Sequence, residues 1–373
     1  MPADDELRKS PESVLPSTGV FRASLMATLF GLLVFVVIFS LVPDKSRMYR
    51  ALSQTRWPVM ALAVVVLALS LLADAGRLWF LCKGIGATVP FGRIVQGIMA
   101  SNFVSLITPF VSGGAPCIVW VLQQCGVDMS HASAAVVAGG VISQSMLVML
   151  SVVIPLLSGI FRATDAFAHL LWIATVAVVP VYLIGVILVA IGSYRIDFIQ
   201  RLASSWEARL AGVAHGKGFA GKLRSLLKTV AEGLHGYRSS FSVLATERPS
   251  ILARAYLCSF LYFTGLFTVG YLTLVALGVQ VDYLRAVAAQ VVILLVASAT
   301  PTPGGSGASE FGAYSLFTLI IPREVVALFI VIWRILTYWL LLFTGAIALA
   351  LAVQTSAESI SRRKLRPATS RER

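Results

Sequence analysis

The stretch from Ala299 to Glu310 (Ala-Thr-Pro-Thr-Pro-Gly-Gly-Ser-Gly-Ala-Ser-Glu) lies between two apolar segments and constrains the fold most strongly. Proline removes a backbone donor and glycine tolerates positive φ, so a continuous helix is not expected here. The chain as a whole is 58% hydrophobic and 13% charged, whereas soluble domains carry roughly 25% charge. We therefore predict an all-α polytopic membrane protein. Because broken backbone within a bilayer must be satisfied by protein or by a water-filled cavity, the stretch predicts a polar site.

The remaining apolar runs are long enough to cross a bilayer as helices. We predict six full transmembrane helices, at about 21–42, 57–82, 132–160, 167–193, 251–277 and 323–352. The first has no short apolar core with a small-residue cleavage site, so it is interpreted as an uncleaved span that follows a cytoplasmic tail at 1–20.

A second broken segment lies at 92–125, where Thr108-Pro109 is followed by Ser112-Gly113-Gly114. Its apolar arms of about 16 and 11 residues would reach roughly 24 and 17 Å, short of the ~30 Å hydrocarbon core. We match Thr108-Pro109 with Thr300-Pro301 and interpret 92–125 and 284–321 as re-entrant hairpins. Interrupted segments at matching positions in two halves indicate an inverted repeat with a site between them. Chance is the competing explanation, since glycine and proline are frequent in membrane helices.

The distribution of charge sets the expected orientation. The net charge is +13, which in a membrane protein indicates cytoplasmic loops facing anionic lipid rather than nucleic-acid binding. Segment 195–249 has nine Lys/Arg against four Asp/Glu, and the tail 353–373 has six against two. With both in the cytoplasm, one transmembrane domain (21–352, with halves at about 57–193 and 251–352) has both termini cytoplasmic, in a bacterial-type inner membrane. Loop 43–56, with four Lys/Arg on the opposite side, argues against this orientation.

Glu310 and Arg334 are charged groups within the predicted membrane domain. Each would cost about 2.5–3.5 kcal/mol alone at the bilayer centre, so we predict that they form a pair. Such a pair can open to receive a phosphate or zwitterionic head group, with Arg334 binding the phosphate through two nitrogens. Backbone N–H groups after Gly305-Ser-Gly307 are expected to point at the same anion. The alternative is a salt bridge that only fixes the broken helices.

Asp74 and Arg77 form a second charged pair, three residues apart on one helix face. An alternative for Arg77 is an interfacial anchor whose charged end reaches the head groups.

The sequence lacks the residue patterns that nucleotide binding, metal binding or nucleophilic catalysis would require. The glycine-rich stretch has no Lys-Ser/Thr of a phosphate-binding loop, and the cysteines and histidines have no metal-ligand spacing. Ser306 and Ser309 have no histidine nearby in sequence to activate them. No catalytic, metal or cofactor site and no nucleic-acid partner are predicted.

The motif Pro-Thr-Pro-Gly-Gly-Ser-Gly-Ala-Ser-Glu, followed by Arg334, resembles the flippase-like transmembrane region of lysylphosphatidylglycerol synthases and their stand-alone homologues. The resemblance extends to Asp74, Arg77, Asn102 and the first broken segment. It departs at Ala115, where members often carry glutamate. No aminoacyl-transferase domain follows, so the resemblance implies a lipid-translocating unit rather than a synthase.

The sequence thus predicts a flippase-like protein that binds or translocates a phospholipid, anionic or aminoacylated, between two broken helices. The alternative is a non-transporting membrane subunit that organises a lipid- or glycan-modifying enzyme; candidate protein partners are such an enzyme or a second copy of the chain. The predicted substrate-binding residues are Glu310, Arg334, Pro301, Pro303, Gly304, Gly305, Gly307, Thr108, Pro109, Gly113, Gly114, Asn102, Asp74 and Arg77.

Overall fold

The computed structural model describes residues 52–160, 163–194 and 249–365, together with positions 36, 40, 46 and 50. Apart from positions 36 and 40, the predicted first span at 21–42 lies outside the described residues, as do the N-terminal tail and the basic segment up to residue 248. Within these ranges the regular structure is entirely helical, which confirms the all-α prediction. The α-helices are α1 Trp57–Gly84, α2 Phe91–Ile107, α3 Gly114–Gln124, α4 Met129–Leu157, α5 Ala166–Tyr194, α6 Pro249–Ala276, α7 Tyr283–Ser298, α8 Ala308–Phe317, α9 Arg323–Arg334 and α10 Leu340–Leu365.

Five helical segments of the described chain are long and apolar enough to cross a membrane, and they coincide with five of the predicted spans. The last consists of α9 and α10, joined by a π-helical turn at Ile335–Trp339. The protein is therefore a multi-pass membrane protein. Helix α10 continues to Leu365, beyond the predicted end at 352, because its last residues are mostly good helix formers and the next proline is Pro367.

Two groups of helices repeat the same order and nearly the same lengths. Helices α1 and α6 both have 28 residues, α2 and α7 have 17 and 16, and α3 and α8 have 11 and 10. The loops after α1 and α6 both turn on a glycine at positive φ, Gly86 at 79° and Gly278 at 77°. The two halves of the chain therefore share one folding pattern.

The equivalent helices α1 and α6 pack against each other in opposite directions. At one end the Arg56 N–H, just before α1, donates to the Ala276 carbonyl at the end of α6, over 2.8 Å. At the other end the Arg254 guanidinium, near the start of α6, lies 5.6 Å from the centre of the Phe80 ring. Equivalent helices that run antiparallel make the repeat an inverted one. Helices α2 and α7 consequently begin at opposite ends of the bundle.

The site lies beside α7, the most enclosed helix of the second half, with ten of its 16 residues buried. By contrast, α5 leaves Trp172, Ile173 and Val181 exposed on its surface. Lipid tails are as apolar as a protein core, so exposed apolar side chains are expected on the rim of a membrane bundle.

Candidate functional site

The two broken segments contact each other through short 3-10 turns, at Pro109–Val111 and Pro303–Gly305. The second residue of each turn has the same left-handed backbone, with φ 55° and ψ 20° at Phe110 and φ 57° and ψ 20° at Gly304. The third residue is also at positive φ, 57° at Val111 and 63° at Gly305. The two turns, which form the tips of the two hairpins, are thus the same structure repeated, and the tips contact each other.

The register of the repeat corrects the sequence-based match. Thr108 and Thr300 share one contact, since each donates its hydroxyl to the carbonyl four residues earlier, in the last turn of the preceding helix, over 2.8 and 2.7 Å. The proline that follows Thr108 corresponds to Pro303, however, and not to Pro301, since only Pro303 begins the left-handed turn. The second break is therefore longer before its turn: four residues, 299–302, lie between α7 and Pro303, whereas Thr108 alone lies between α2 and Pro109.

The first break places L-residues where the second has glycines. A left-handed conformation costs an L-residue roughly 1–2 kcal/mol, and a β-branched residue is least suited to it. Phe110 and Val111 are both exposed, so burial does not explain their conformation. The first tip therefore stores strain that the glycine pair of the second tip avoids.

We expect Val111→Gly to stabilise the folded protein by about 1 kcal/mol, because glycine relieves the left-handed strain while losing more backbone entropy on folding. The measurement is the thermal midpoint in detergent, followed by a dye that reacts with the buried thiol of Cys82 as it becomes accessible. The control is Val153→Gly, in the interior of α4, which should destabilise by about 1 kcal/mol. A lower midpoint for Val111→Gly would contradict this account.

Glu310 and Arg334 form the predicted ion pair. Glu310 Oε1 lies 2.6 Å from Arg334 Nε, and both residues are less than a tenth exposed. The other carboxylate oxygen, Oε2, accepts the Gly307 N–H over 2.6 Å and caps the start of α8. Both oxygens of Glu310 are thus used within the protein. The Gly307 N–H is therefore engaged by this carboxylate and is not available to a bound anion.

The remaining edge of the Arg334 guanidinium is less fully occupied. Its Nη2 donates to Ser306 Oγ over a long 3.4 Å, and its central carbon lies 4.5 Å above the Tyr338 ring. The π-helical turn begins at the next residue, and such turns are frequent at functional sites. The arginine is therefore fixed through Nε and through its face, and its Nη groups can bind another acceptor.

A cavity of about 210 Å³ lies against this arginine. Its wall is formed by residues of α2 and the first 3-10 turn from the first half, and of α6 to α10 and the second 3-10 turn from the second. The polar side chains in the wall are Asn102, Ser105, Tyr262, Gln290, Ser298, Ser309, Arg334 and Thr337.

Three of the predicted site residues, Asn102, Gly304 and Arg334, line the cavity. Glu310 lies behind Arg334, as its ion-pair partner. The other residues of the two motifs build the hairpin tips without lining this cavity: Thr108, Pro109, Gly113, Gly114, Pro301, Pro303, Gly305 and Gly307. In the first tip, for example, the Gly113 N–H donates to Thr108 Oγ1 over 2.9 Å.

Asp74 and Arg77 are outside the cavity wall. Arg77 Nη2 lies 2.7 Å from Asp74 Oδ1, and its Nη1 donates to Ser143 of α4. The Arg77 side chain is only 11% exposed, which rules out the interfacial anchor. Tyr262 lines the cavity and interacts electrostatically with this pair, so the pair is near the cavity without forming its wall.

Several cavity residues were not predicted, chiefly Gln290, Tyr262, Ser105 and Ser309. Gln290 is the one with a detectable signal, as a lone amide within the apolar arm 284–300. Its amide nitrogen donates to the carbonyls of Phe267 and Ala286. The serines and Tyr262 reach the cavity only through helix packing.

The fold and the site together define a class: multi-pass α-helical membrane proteins built from an inverted repeat, whose two broken helices meet beside a buried ion pair. Within this class the sequence profile of the lysylphosphatidylglycerol synthase TM region matches residues 28–345. The chain belongs to this family.

Two relatives are similar over most of their length. A UPF0104 membrane protein of Archaeoglobus fulgidus is 25% identical over 323 residues, which cover 86% of this chain and 95% of the relative. A UPF0104 membrane protein of Pyrococcus horikoshii is 23% identical over 292 residues, which cover 77% and 84% of the two chains. The similarity therefore extends well beyond the motif around Glu310.

Proposed function

We propose that the chain binds the phosphate of a phospholipid head group at Arg334 and carries the lipid between the two leaflets. One observation carries the proposal: Arg334 is buried, held at Nε by Glu310, and lines a cavity beside the contact of two broken helices. The membership in a family named for a lipid synthase supports a lipid ligand.

The chemistry of the arginine favours phosphate. A guanidinium presents paired N–H groups that match phosphate oxygens, and the Nη edge of Arg334 is the one that faces additional acceptors. Glu310 has both oxygens engaged, so we infer that it stays in place and fixes Arg334 while the phosphate binds. This refines the sequence-based hypothesis, in which the ion pair itself opens to admit the ligand.

The inverted repeat supports translocation rather than static binding. Its halves have the same helices in opposite orientation, so an exchange of their conformations would expose a site between them to the opposite side. The strained left-handed residues Phe110 and Val111 lie at the contact of the two tips, where such an exchange would have to occur. The alternative of a non-transporting subunit has no comparable support within the described residues.

The test is a proteoliposome assay with a fluorescent phospholipid, in which a membrane-impermeant reductant bleaches only the outer leaflet. We expect wild-type protein to make both leaflets accessible and Arg334→Gln to slow this at least about tenfold, since a charge-assisted hydrogen bond contributes about 1.5–3 kcal/mol. Arg285→Gln is the control, because Arg285 forms a half-exposed ion pair with Asp165 over 3.0 Å outside the cavity.

Transport by Arg334→Gln at the wild-type rate would overturn the site. Lipid binding that requires Arg334, without any transport in wild-type vesicles, would instead favour the non-transporting subunit.

A further inference from the structure

The charges around the cavity discriminate between kinds of phospholipid head group. We infer that this cavity takes an anionic head group whose remainder is an uncharged polyol, as in phosphatidylglycerol, and excludes the aminoacylated, cationic form. This rests on the proposed binding of phosphate at Arg334. It selects one of the two lipid classes that the sequence left open.

Arg334 is the one charged side chain in the described cavity wall. The nearest carboxylate, Glu310, directs Oε1 to Arg334 and Oε2 to the Gly307 N–H, and does not line the cavity. Asp74, which also does not line the cavity, is already paired with Arg77 over 2.7 Å. Among the described residues of the wall, a lysyl ammonium group entering here would find no carboxylate, and an unpaired buried cation is strongly unfavourable.

The polar groups that remain are neutral. Asn102, Ser105 and Ser309 line the cavity, and their side chains make no hydrogen bond with the described part of the protein. Amide and hydroxyl groups of this kind both donate and accept, as the hydroxyls of a polyol require. By comparison, Ser298 and Thr337 use their hydroxyl protons on carbonyls of their own helices.

The size agrees with a head group of this kind. The cavity volume of about 210 Å³ corresponds to about seven water molecules at the ~30 Å³ each occupies in the liquid. A phosphate with a three-carbon polyol is of this order, whereas acyl chains must remain outside in the bilayer.

The experiment measures binding of short-chain lipids to the full-length protein in detergent by native mass spectrometry. The lipids are dihexanoyl phosphatidylglycerol and its lysyl ester, and the signal lost in Arg334→Gln defines the binding specific to the cavity. We expect specific binding of phosphatidylglycerol to exceed that of the lysyl ester at least about tenfold, one unpaired charge being worth well over 1.4 kcal/mol. Arg285→Gln should leave the preference unchanged.

Asn102→Asp is the matched gain-of-function variant, because it places a carboxylate in the cavity wall at almost no change in volume. It should bind the lysyl ester at least about tenfold more tightly than wild type and phosphatidylglycerol more weakly. Equal, Arg334-dependent binding of both lipids to wild type would overturn the charge selectivity and leave phosphate binding intact. Binding of neither lipid that depends on Arg334 would overturn the proposed function as well.

Discussion

Glu310→Gln is expected to lower the free energy of unfolding by about 3–5 kcal/mol, because it leaves the Arg334 guanidinium buried and without its counter-charge. The contact that loses its negative charge spans 2.6 Å between residues that are 6% and 9% exposed. The same change replaces one carboxylate oxygen with an NH2 group, so it also weakens the hydrogen bond that the Gly307 N–H donates to this side chain. The measurement is thermal unfolding in detergent, followed by the reaction of a dye with the buried Cys82 thiol.

The double variant Glu310→Gln, Arg334→Gln measures the energetic coupling between the two charges. With neither charge present, no unpaired charge is buried, so the double variant should lose less than the sum of the single losses, with a coupling of about 1–3 kcal/mol. The control cycle is Asp165→Asn with Arg285→Gln, whose side chains are 41% and 37% exposed and should couple by less than about 1 kcal/mol. Additive losses at Glu310 and Arg334 would show that the two charges do not depend on each other.

Gly305→Ala is expected to destabilise the protein by about 2–5 kcal/mol, the second large effect. Gly305 lies at φ +63°, where an L-residue costs about 1–2 kcal/mol. A Cβ at this position would also lie 2.6 Å from the Ala297 Cβ and 2.8 Å from the Ala297 carbonyl oxygen, and overpacking of this kind costs about 1–3 kcal/mol. Because the Ala297 carbonyl oxygen is a backbone atom, the end of α7 would have to move away from the second tip.

The control is Gly86→Ala, which shares the positive φ, +79°, but has no atom within 4 Å of the added Cβ. It should lose only the conformational part, about 1–2 kcal/mol. Equal losses for Gly305→Ala and Gly86→Ala would mean that the close approach of Ala297 contributes nothing.

Much of the fold could be predicted from the composition and from the interruptions of the apolar segments. Apolar runs of sufficient length predicted the five described spans, and prolines and glycines predicted both helix breaks. The pairing of Glu310 with Arg334 was also predictable, because an isolated charge in a bilayer is costly and few charges were available. These inferences depend on local chemistry, so one sequence was enough.

The register of the repeat and the residues of the cavity wall could not be predicted as well from the sequence. The extra residues before Pro303 cannot be recognised from the two Thr-Pro dipeptides, and only the matching left-handed turns at Phe110 and Gly304 reveal them. Hydropathy also fails to distinguish the inside of a membrane bundle from its rim, since lipid and core are both apolar. Gln290 and Tyr262 therefore gave weak signals or none, although both line the cavity.

The sequence alone determined that the chain crosses a membrane, where its helices break, and which two charges neutralise each other. The tertiary structure decided which residues line the cavity and that Asp74 and Arg77 lie outside its wall. It also decided that both carboxylate oxygens of Glu310 are engaged, one by Arg334 and one by the Gly307 N–H. The reason is physical. Local propensity and the energy of burial act on each segment separately, whereas a site between two inverted halves exists only after α2 and the second-half helices have packed together.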